Sequence, residues 1–291
     1  MVKSNLKEKN QLSNAKLSVV DKNVIKTTSY SDINLKQWRD YEHVKTDTLW
    51  EFPSRLKEGG HSNEYHGNYI PQIAQQIYER YTKKDDVVLD MFFGSGTSGI
   101  EAVNMKRRCI GVELKKDLVD TVSAKFTSKQ LVTDVNIICA DSASDNVKEK
   151  IYDRLQIMGE EKAQLLMLHP PYDDIIKFSD KKEDLSNCAT TEEFYNLFEK
   201  VAKNGYDMLE KGRFACLIIG DKYANSQHIP LGFECMARMN KCGFITKAII
   251  IKDMQGNERA KGKTANLWRY RALAGGFYIF KHEYVMVFQK I

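Results

Sequence analysis

Asp90-Met91-Phe92-Phe93-Gly94-Ser95-Gly96-Thr97-Ser98-Gly99 is the stretch whose reading decides the fold of this 291-residue chain. Just before it, Val87-Val88-Leu89 predicts a short buried strand; just after it, Thr97 to Lys106 predicts a helix. Gly94, Gly96 and Gly99 therefore form a literal G-x-G-x-x-G between a strand and a helix, which is the context a nucleotide-binding turn requires. Working outward, helical and strand-like segments alternate. Pro71 to Tyr81 is helical, with proline at a tolerated first position, as are Lys115 to Lys129, Glu192 to Glu210 and Leu231 to Asn240. Strands are predicted at Cys109 to Val112, Val135 to Cys139, Gln164 to Leu168 and Phe214 to Ile219. Strands separated by helices imply an α/β fold, a mostly parallel sheet covered on both faces. Thr246 to Ile251 and Tyr284 to Phe288 show no obvious helix between them and predict an antiparallel pair closing the sheet.

A dinucleotide is the first ligand such a turn suggests. Asp90 argues against it, because a carboxylate at the strand end repels a pyrophosphate at the helix N-terminus but suits the ammonium of a methionine moiety. The charge thus favours S-adenosylmethionine. Glu113, at the end of the next strand, can accept hydrogen bonds from ribose hydroxyls in either cofactor type. Two readings of Asp141 stand: it accepts from an adenine amino group, or it caps the helical stretch that follows it. After the fourth strand comes His169-Pro170-Pro171-Tyr172-Asp173, at the strand ends where open parallel sheets bind substrates. Two successive prolines fix two φ angles and remove two donors, which leaves rigid carbonyls free to accept.

Asp90 to Glu113 together with His169-Pro170-Pro171-Tyr172 resembles the DNA amino-methyltransferases that act on adenine N6 or cytosine N4, with their FxGSGT-like and (D/N/S)PP(Y/F/W) turns. The resemblance runs from about Trp50 to Ile291 and includes the segments Trp50 to Pro53, His66 to Pro71 and His282 to Phe288. It implies a Rossmann-like class I methyltransferase fold, with a seven-stranded, mostly parallel sheet and an antiparallel last strand. It also implies transfer of a methyl group from S-adenosylmethionine to an exocyclic amine in duplex DNA, with S-adenosylhomocysteine as product. Asp90, Phe92, Gly94, Gly96, Thr97, Glu113, Asp141, His66 and Asn68 become candidate cofactor residues, and His169, Pro170, Pro171 and Tyr172 candidate catalytic ones.

An exocyclic amine is a weak nucleophile, since its lone pair is delocalised into the ring. An acceptor at position 169 and the Pro170 carbonyl, taking hydrogen bonds from the amine, would hold that lone pair toward the methyl group. Tyr172 would stack on a base flipped from the duplex. His169 departs from the usual Asp, Asn or Ser; a neutral imidazole accepts one hydrogen bond and brings no charge, and the alternative pairs the Pro170 carbonyl with Asp173 or Asp174. Cytosine C5 chemistry needs a cysteine nucleophile, typically after proline. Here the residues following the five prolines are Ser54, Gln72, Pro171, Tyr172 and Leu231.

The remaining composition bounds the partners. Net charge is +5, but from Lys241 to Ile291 ten Lys and Arg face three Asp and Glu, an excess of +7 that suits a polyanion. Recognition is assigned to two loops, 173–191 and 252–282, with Lys177, Arg259, Lys261, Lys263, Trp268, Arg269 and Arg271 as candidate DNA contacts. Residues 1–45 read as a polar N-terminal arm, and 46–291 as the methyltransferase domain. The six cysteines show no metal-ligand spacing and read as reduced, with no metal expected. No apolar run suggests a membrane span or a secretory signal, so a cytoplasmic protein is expected. A cognate restriction endonuclease is the partner the resemblance allows, in a restriction-modification or an orphan modification system. Two other readings are an RNA amino-methyltransferase and a catalytically inactive, methyltransferase-like DNA-binding subunit.

Overall fold

A computed structural model describes residues 27–61, 67–128, 134–254 and 265–291. In chain order the main elements are β1 (Leu49–Trp50), α1 (Pro71–Tyr81), β2 (Val87–Asp90), α2 (Thr97–Asn104), β3 (Arg108–Glu113), α3 (Lys116–Ser128), β4 (Val135–Cys139), α4 (Val147–Ile157) and β5 (Ala163–Leu168). There follow α5 (Thr191–Met208), β6 (Leu209–Ile219), β7 (Lys222–Ala224), β8 (Gln227–Ile229), α6 (Leu231–Lys241), β9 (Phe244–Asp253), α7 (Ala265–Gly275) and β10 (His282–Lys290). The main sheet has eight strands in the order β1-β9-β10-β6-β5-β2-β3-β4. Strands β6, β5, β2, β3 and β4 are mutually parallel, and β10 runs antiparallel to both its neighbours, β6 and β9.

Seven of these strands are those expected. The eighth is the two-residue β1, whose Leu49 and Trp50 pair in parallel with Ile251 and Lys252 at the sheet edge. It carries no alternation long enough to be seen in sequence, but Trp50 is only 1% exposed and anchors it. Two further departures lie beside the last strands. A helix, α7, occupies part of the stretch expected to hold none; its apolar residues do not segregate onto one face, so it leaves no 3.6-residue signature. A small hairpin, β7–β8, turns at Asn225 and Ser226, both with positive φ, as a two-residue mirror-type turn demands.

The sheet is buried on both faces. Helices α4, α5 and α6 cover one side with Leu89, Leu166, Phe194, Phe198, Leu231 and Met239. The other side holds Val88, Leu165, Ile73, Ile77, Tyr78, Ile100 and Phe126 from α1, α2, α3 and the strands. In α5 the buried residues Phe194, Phe198, Val201, Gly205 and Met208 follow helical spacing, and Thr190 caps the helix by accepting from the Glu193 amide. A Phe198 side chain buried this fully stabilises the fold by about 1.5–3 kcal/mol.

Of the N-terminal arm, residues 1–26 lie outside the described residues. The described part packs on the core: the Tyr30 ring meets Phe214 edge-on at 4.8 Å, and the Lys45 amide donates to Gln76 of α1. The basic excess of the C-terminal end is not all surface either. Lys252 is 1% exposed inside the sheet, and the Lys290 ammonium donates to the carbonyls of Tyr206 and Leu209.

Candidate active site

The chain runs outward from β2 through β3 to β4 and then returns to the far side of β2 as β5, so the strand order reverses between β2 and β5. Open sheets bind ligands at such a switch point, outside the carboxyl ends of the strands. A cavity of about 760 Å³ lies there, lined by Phe92, Gly94, Thr97, Glu113 and Asp141 on one side and His169, Pro170, Pro171 and Tyr172 on the other. The register explains the meeting. Asp90 pairs with Met167, so the glycine turn and the proline turn leave the sheet side by side.

On the first side, Gly94 (φ 53) and Gly96 (φ 87) take left-handed conformations that let the chain reverse from β2 into α2. Glu113 braces this turn: its carboxylate accepts from the Gly94 amide at 2.9 Å and from the Lys115 amide at 2.9 Å. Burial pushes its pKa up, and those two amide bonds oppose the shift. Asp141 lines the cavity and accepts from the Ala143 amide at 2.8 Å in a local turn; it does not cap α4, which begins at Val147 with Asn146 ahead of it, so of the two readings of Asp141 the capping one is not met. Asp90 stands behind the wall. It is 2% exposed and accepts from Ser98 Oγ and the Phe92 amide; burial pushes it up to about 6 against those bonds. The Ser98 hydroxyl is shared with Tyr69 (2.5 Å), which lines the cavity in place of Asp90. Asn68 lines it too and donates to Ser95 Oγ at 2.6 Å; His66 lies outside the described residues.

On the second side, the His169 ring is enclosed edge-on by Tyr69 (centroids 5.3 Å apart) and Tyr172 (5.7 Å). Burial pushes its pKa down to about 4, while Glu283 and Lys252 act in opposite directions, so the imidazole is neutral at neutral pH. Tyr172 donates to Glu283 Oε2 at 2.9 Å, and its oxygen lies 3.4 Å from His169 Nε2. The other oxygen of Glu283 accepts from the Lys252 ammonium at 2.9 Å, and both side chains are almost fully buried. Burial pushes Glu283 up, but the Lys252 ammonium, by charge and by hydrogen bond, and the Tyr172 hydroxyl hold it below the usual carboxylate range. The alternative acceptors are elsewhere. Asp173, in a left-handed conformation (φ 53), is committed to Thr191 Oγ1 and Lys222 Nζ, Asp174 also pairs with Lys222, and neither lines the cavity. Gly220, after β6, makes room for the Tyr172 ring; a Cβ there would come within 2.9 Å of it.

In the sequence Lys252 and Glu283 are two charges of a basic end, Lys252 opening the recognition loop and Glu283 inside the segment resembling the family's last strand, with no catalytic role expected of either. Their signal was present nonetheless: each is a charge set against an apolar run, Ile249-Ile250-Ile251 and Val285-Met286-Val287. Among the described residues no cluster of His, Cys, Asp and Glu is arranged to hold a metal ion, and all six cysteines are free thiols.

The sequence profile of a family described as DNA methylase matches residues 2–125 and 163–291. The chain belongs to the DNA methylase family. A relative from Haemophilus influenzae named "Probable type III restriction-modification enzyme HindVI Mod subunit" is 28% identical over 149 residues, covering 50% of this chain and 20% of its own length. The type II methyltransferase M.ScaI of Streptomyces caespitosus is 27% identical over 85 residues, 28% of each chain. The chain thus spans only 20% and 28% of the length of these two relatives. The crystal structure of a methyltransferase from Pyrococcus furiosus superposes with a TM-score of 0.47 at 13% identity, covering 78% of this chain and 88% of that one.

S-adenosylmethionine is the cofactor of this family, and the donor set of the cavity fits it. Glu113 and Asp141 present carboxylates to the cavity that could accept from ribose hydroxyls and an amino group, and Phe92, Val112, Leu114 and Leu185 line it with apolar surface that could receive a purine. The rim of the cavity carries the remaining candidates. Ile175, Ile176 and Phe178 line the cavity, and Lys177 between them is exposed and paired with Asp180. Met254, also lining it, donates its amide to the Lys281 carbonyl at 2.9 Å, which ties the end of β9 to the start of β10 beside the cavity. Arg269 is exposed, and the Arg271 guanidinium sits 5.3 Å over the half-buried Trp268 ring. Arg259, Lys261 and Lys263 lie outside the described residues.

Proposed function

We propose that this protein transfers the methyl group of S-adenosylmethionine to the exocyclic amino group of adenine (N6) or cytosine (N4) in duplex DNA. The observation that carries the reading is the single cavity shared by the Glu113 side and the His169-Pro170-Pro171-Tyr172 side. Bound there, the cofactor would supply a methyl carbon: its bond to sulfur breaks as the amino nitrogen bonds to it, S-adenosylhomocysteine leaves, and the methylated nitrogen sheds one of its two amine protons to solvent. His169 and the Pro170 carbonyl accept hydrogen bonds from the amine, so its lone pair is turned from the ring toward the methyl. The neutral imidazole accepts one such bond and the carbonyl the other.

Because the cavity is set into the protein, the base leaves the duplex to reach it, and Tyr172 with the apolar rim residues Ile175, Ile176 and Phe178 offsets part of the unstacking cost. The loops around 173–191 and 252–282 contact DNA, with Lys177, Arg269 and Arg271 on phosphates or base edges. We place the protein in the cytoplasm, in a restriction-modification or an orphan modification system. Among the described residues no helix is long and apolar enough to cross a membrane. Labelled methyl transfer to duplex DNA and to RNA of the same sequence tests the reading. Label on the amino groups of DNA alone supports it. Label on RNA alone replaces the substrate, and binding of cofactor and DNA with no transfer makes the chain an inactive subunit.

A further inference from the structure

The chain of groups behind His169 has a direction, and that direction sets which imidazole nitrogen carries the proton. A carboxylate only accepts hydrogen bonds, so the Tyr172 hydroxyl proton points to Glu283 Oε2, 2.9 Å away. What the tyrosine oxygen then offers His169 Nε2, at 3.4 Å, is a lone pair. A donor is needed on the imidazole side. Lys252, a pure donor, holds the other Glu283 oxygen at 2.9 Å and keeps the carboxylate ionised in a buried site.

We infer that Lys252 and Glu283 are positioning residues which, through the Tyr172 hydroxyl, fix His169 as the Nε2–H tautomer and so leave the Nδ1 lone pair to accept from the amino group of the target base. The inference rests on the methyl-transfer reading above. It supplies what the missing charge at position 169 takes away: the acceptor is neutral, but its orientation and tautomer are imposed by a carboxylate one residue further back. The ion pair also keeps the ring neutral. The groups facing His169 are Tyr69 ahead of α1, Tyr172 on its own turn, Lys252 on β9 and Glu283 on β10, and the lysine offsets the pull of the glutamate for a proton on the ring.

The direction can be reversed. In Glu283→Gln, the Lys252 ammonium still needs an acceptor and claims the amide oxygen. The amide NH2 is then left to donate to Tyr172, whose own proton turns to His169 Nε2 and moves the imidazole to the Nδ1–H form. Nitrogen-15 spectra of the histidine-labelled full-length protein read this directly, with the His169 signals assigned by their loss in His169→Ala. The expected result is an unprotonated Nδ1 in the wild type and an unprotonated Nε2 in Glu283→Gln. The variant should lose on the order of 10²-fold in kcat with unchanged affinity for S-adenosylhomocysteine, and should add nothing to the loss in a Tyr172→Phe background. A wild-type imidazole protonated on Nδ1 overturns the inference, as does a full additional loss in that background; the wild-type spectrum needs no variant to fold. The tautomer is read without substrate. An Nε2–H imidazole in a protein that methylates no DNA upholds the relay and strikes only the functional reading, whereas an Nδ1–H imidazole in an active enzyme does the reverse.

Discussion

The two walls of the cavity are built in different ways. The wall from Asp90 to Thr97 is made by backbone: a strand end, two left-handed glycines and a helix start, braced by Glu113 through two amide bonds. The wall around His169 is made by side chains brought from four separate places, namely the turn after β5, the segment ahead of α1, the end of β9 and the start of β10. A backbone site tolerates little variation, and its sequence is a motif. A side-chain site can exchange parts, as long as the hydrogen bonds still close.

If the walls serve separate tasks, they should fail separately. The largest effect is expected on the second wall: His169→Ala lowers methyl transfer by about 10²- to 10³-fold while calorimetry finds S-adenosylhomocysteine bound as in the wild type. Parallel loss of both would merge the two walls into one. The converse variant, Glu113→Ala, gives up a charged acceptor worth about 1.5–3 kcal/mol. It should weaken S-adenosylhomocysteine binding accordingly and leave DNA affinity unchanged in a gel-shift titration; an equal loss of DNA affinity would break the division.

The third test uses pH. His169 is held neutral, at about 4, below the ordinary 6.5, so wild-type kcat should show no imidazole-dependent decline as pH falls through 6.5. Removing the lysine in Lys252→Met leaves Glu283 to favour the imidazolium. The acid limb should then move up toward the ordinary range, and activity per folded molecule should fall as pH drops through it. An acid limb that stays in place contradicts the pairing. Stability follows the same sign: the unfolded chain binds a proton at His169 between about 6.5 and 4 and the folded one does not, so this group's contribution is lost as pH falls through that window.

The smallest effect is at the rim. Arg269→Ala should weaken DNA binding modestly and reduce the salt slope by about one; an unchanged slope removes α7 from the interface.

How much of this was legible in the sequence follows the same division. The seven long strands and the glycine turn were readable because their signals are local: an apolar run, a left-handed glycine, a helix start. The two-residue β1 was not, since Trp50 is held by tertiary burial rather than by any pattern, nor was α7, whose apolar residues mark no face. Asp90, prominent in the motif, turned out to brace the turn from behind, with Tyr69 on the cavity side. Lys252 and Glu283 are 31 residues apart and become partners only because β9 and β10 pair in a register that sets them opposite each other. No spacing along the chain announces that.

The most direct test of the shared cavity is base-resolved sequencing of DNA from cells expressing the wild-type protein or His169→Ala. N6-methyladenine or N4-methylcytosine is expected at one short recurring sequence in the first and should be absent in the second. Methylation at cytosine C5, or an amino-methylation pattern unaltered by the loss of His169, would contradict that expectation.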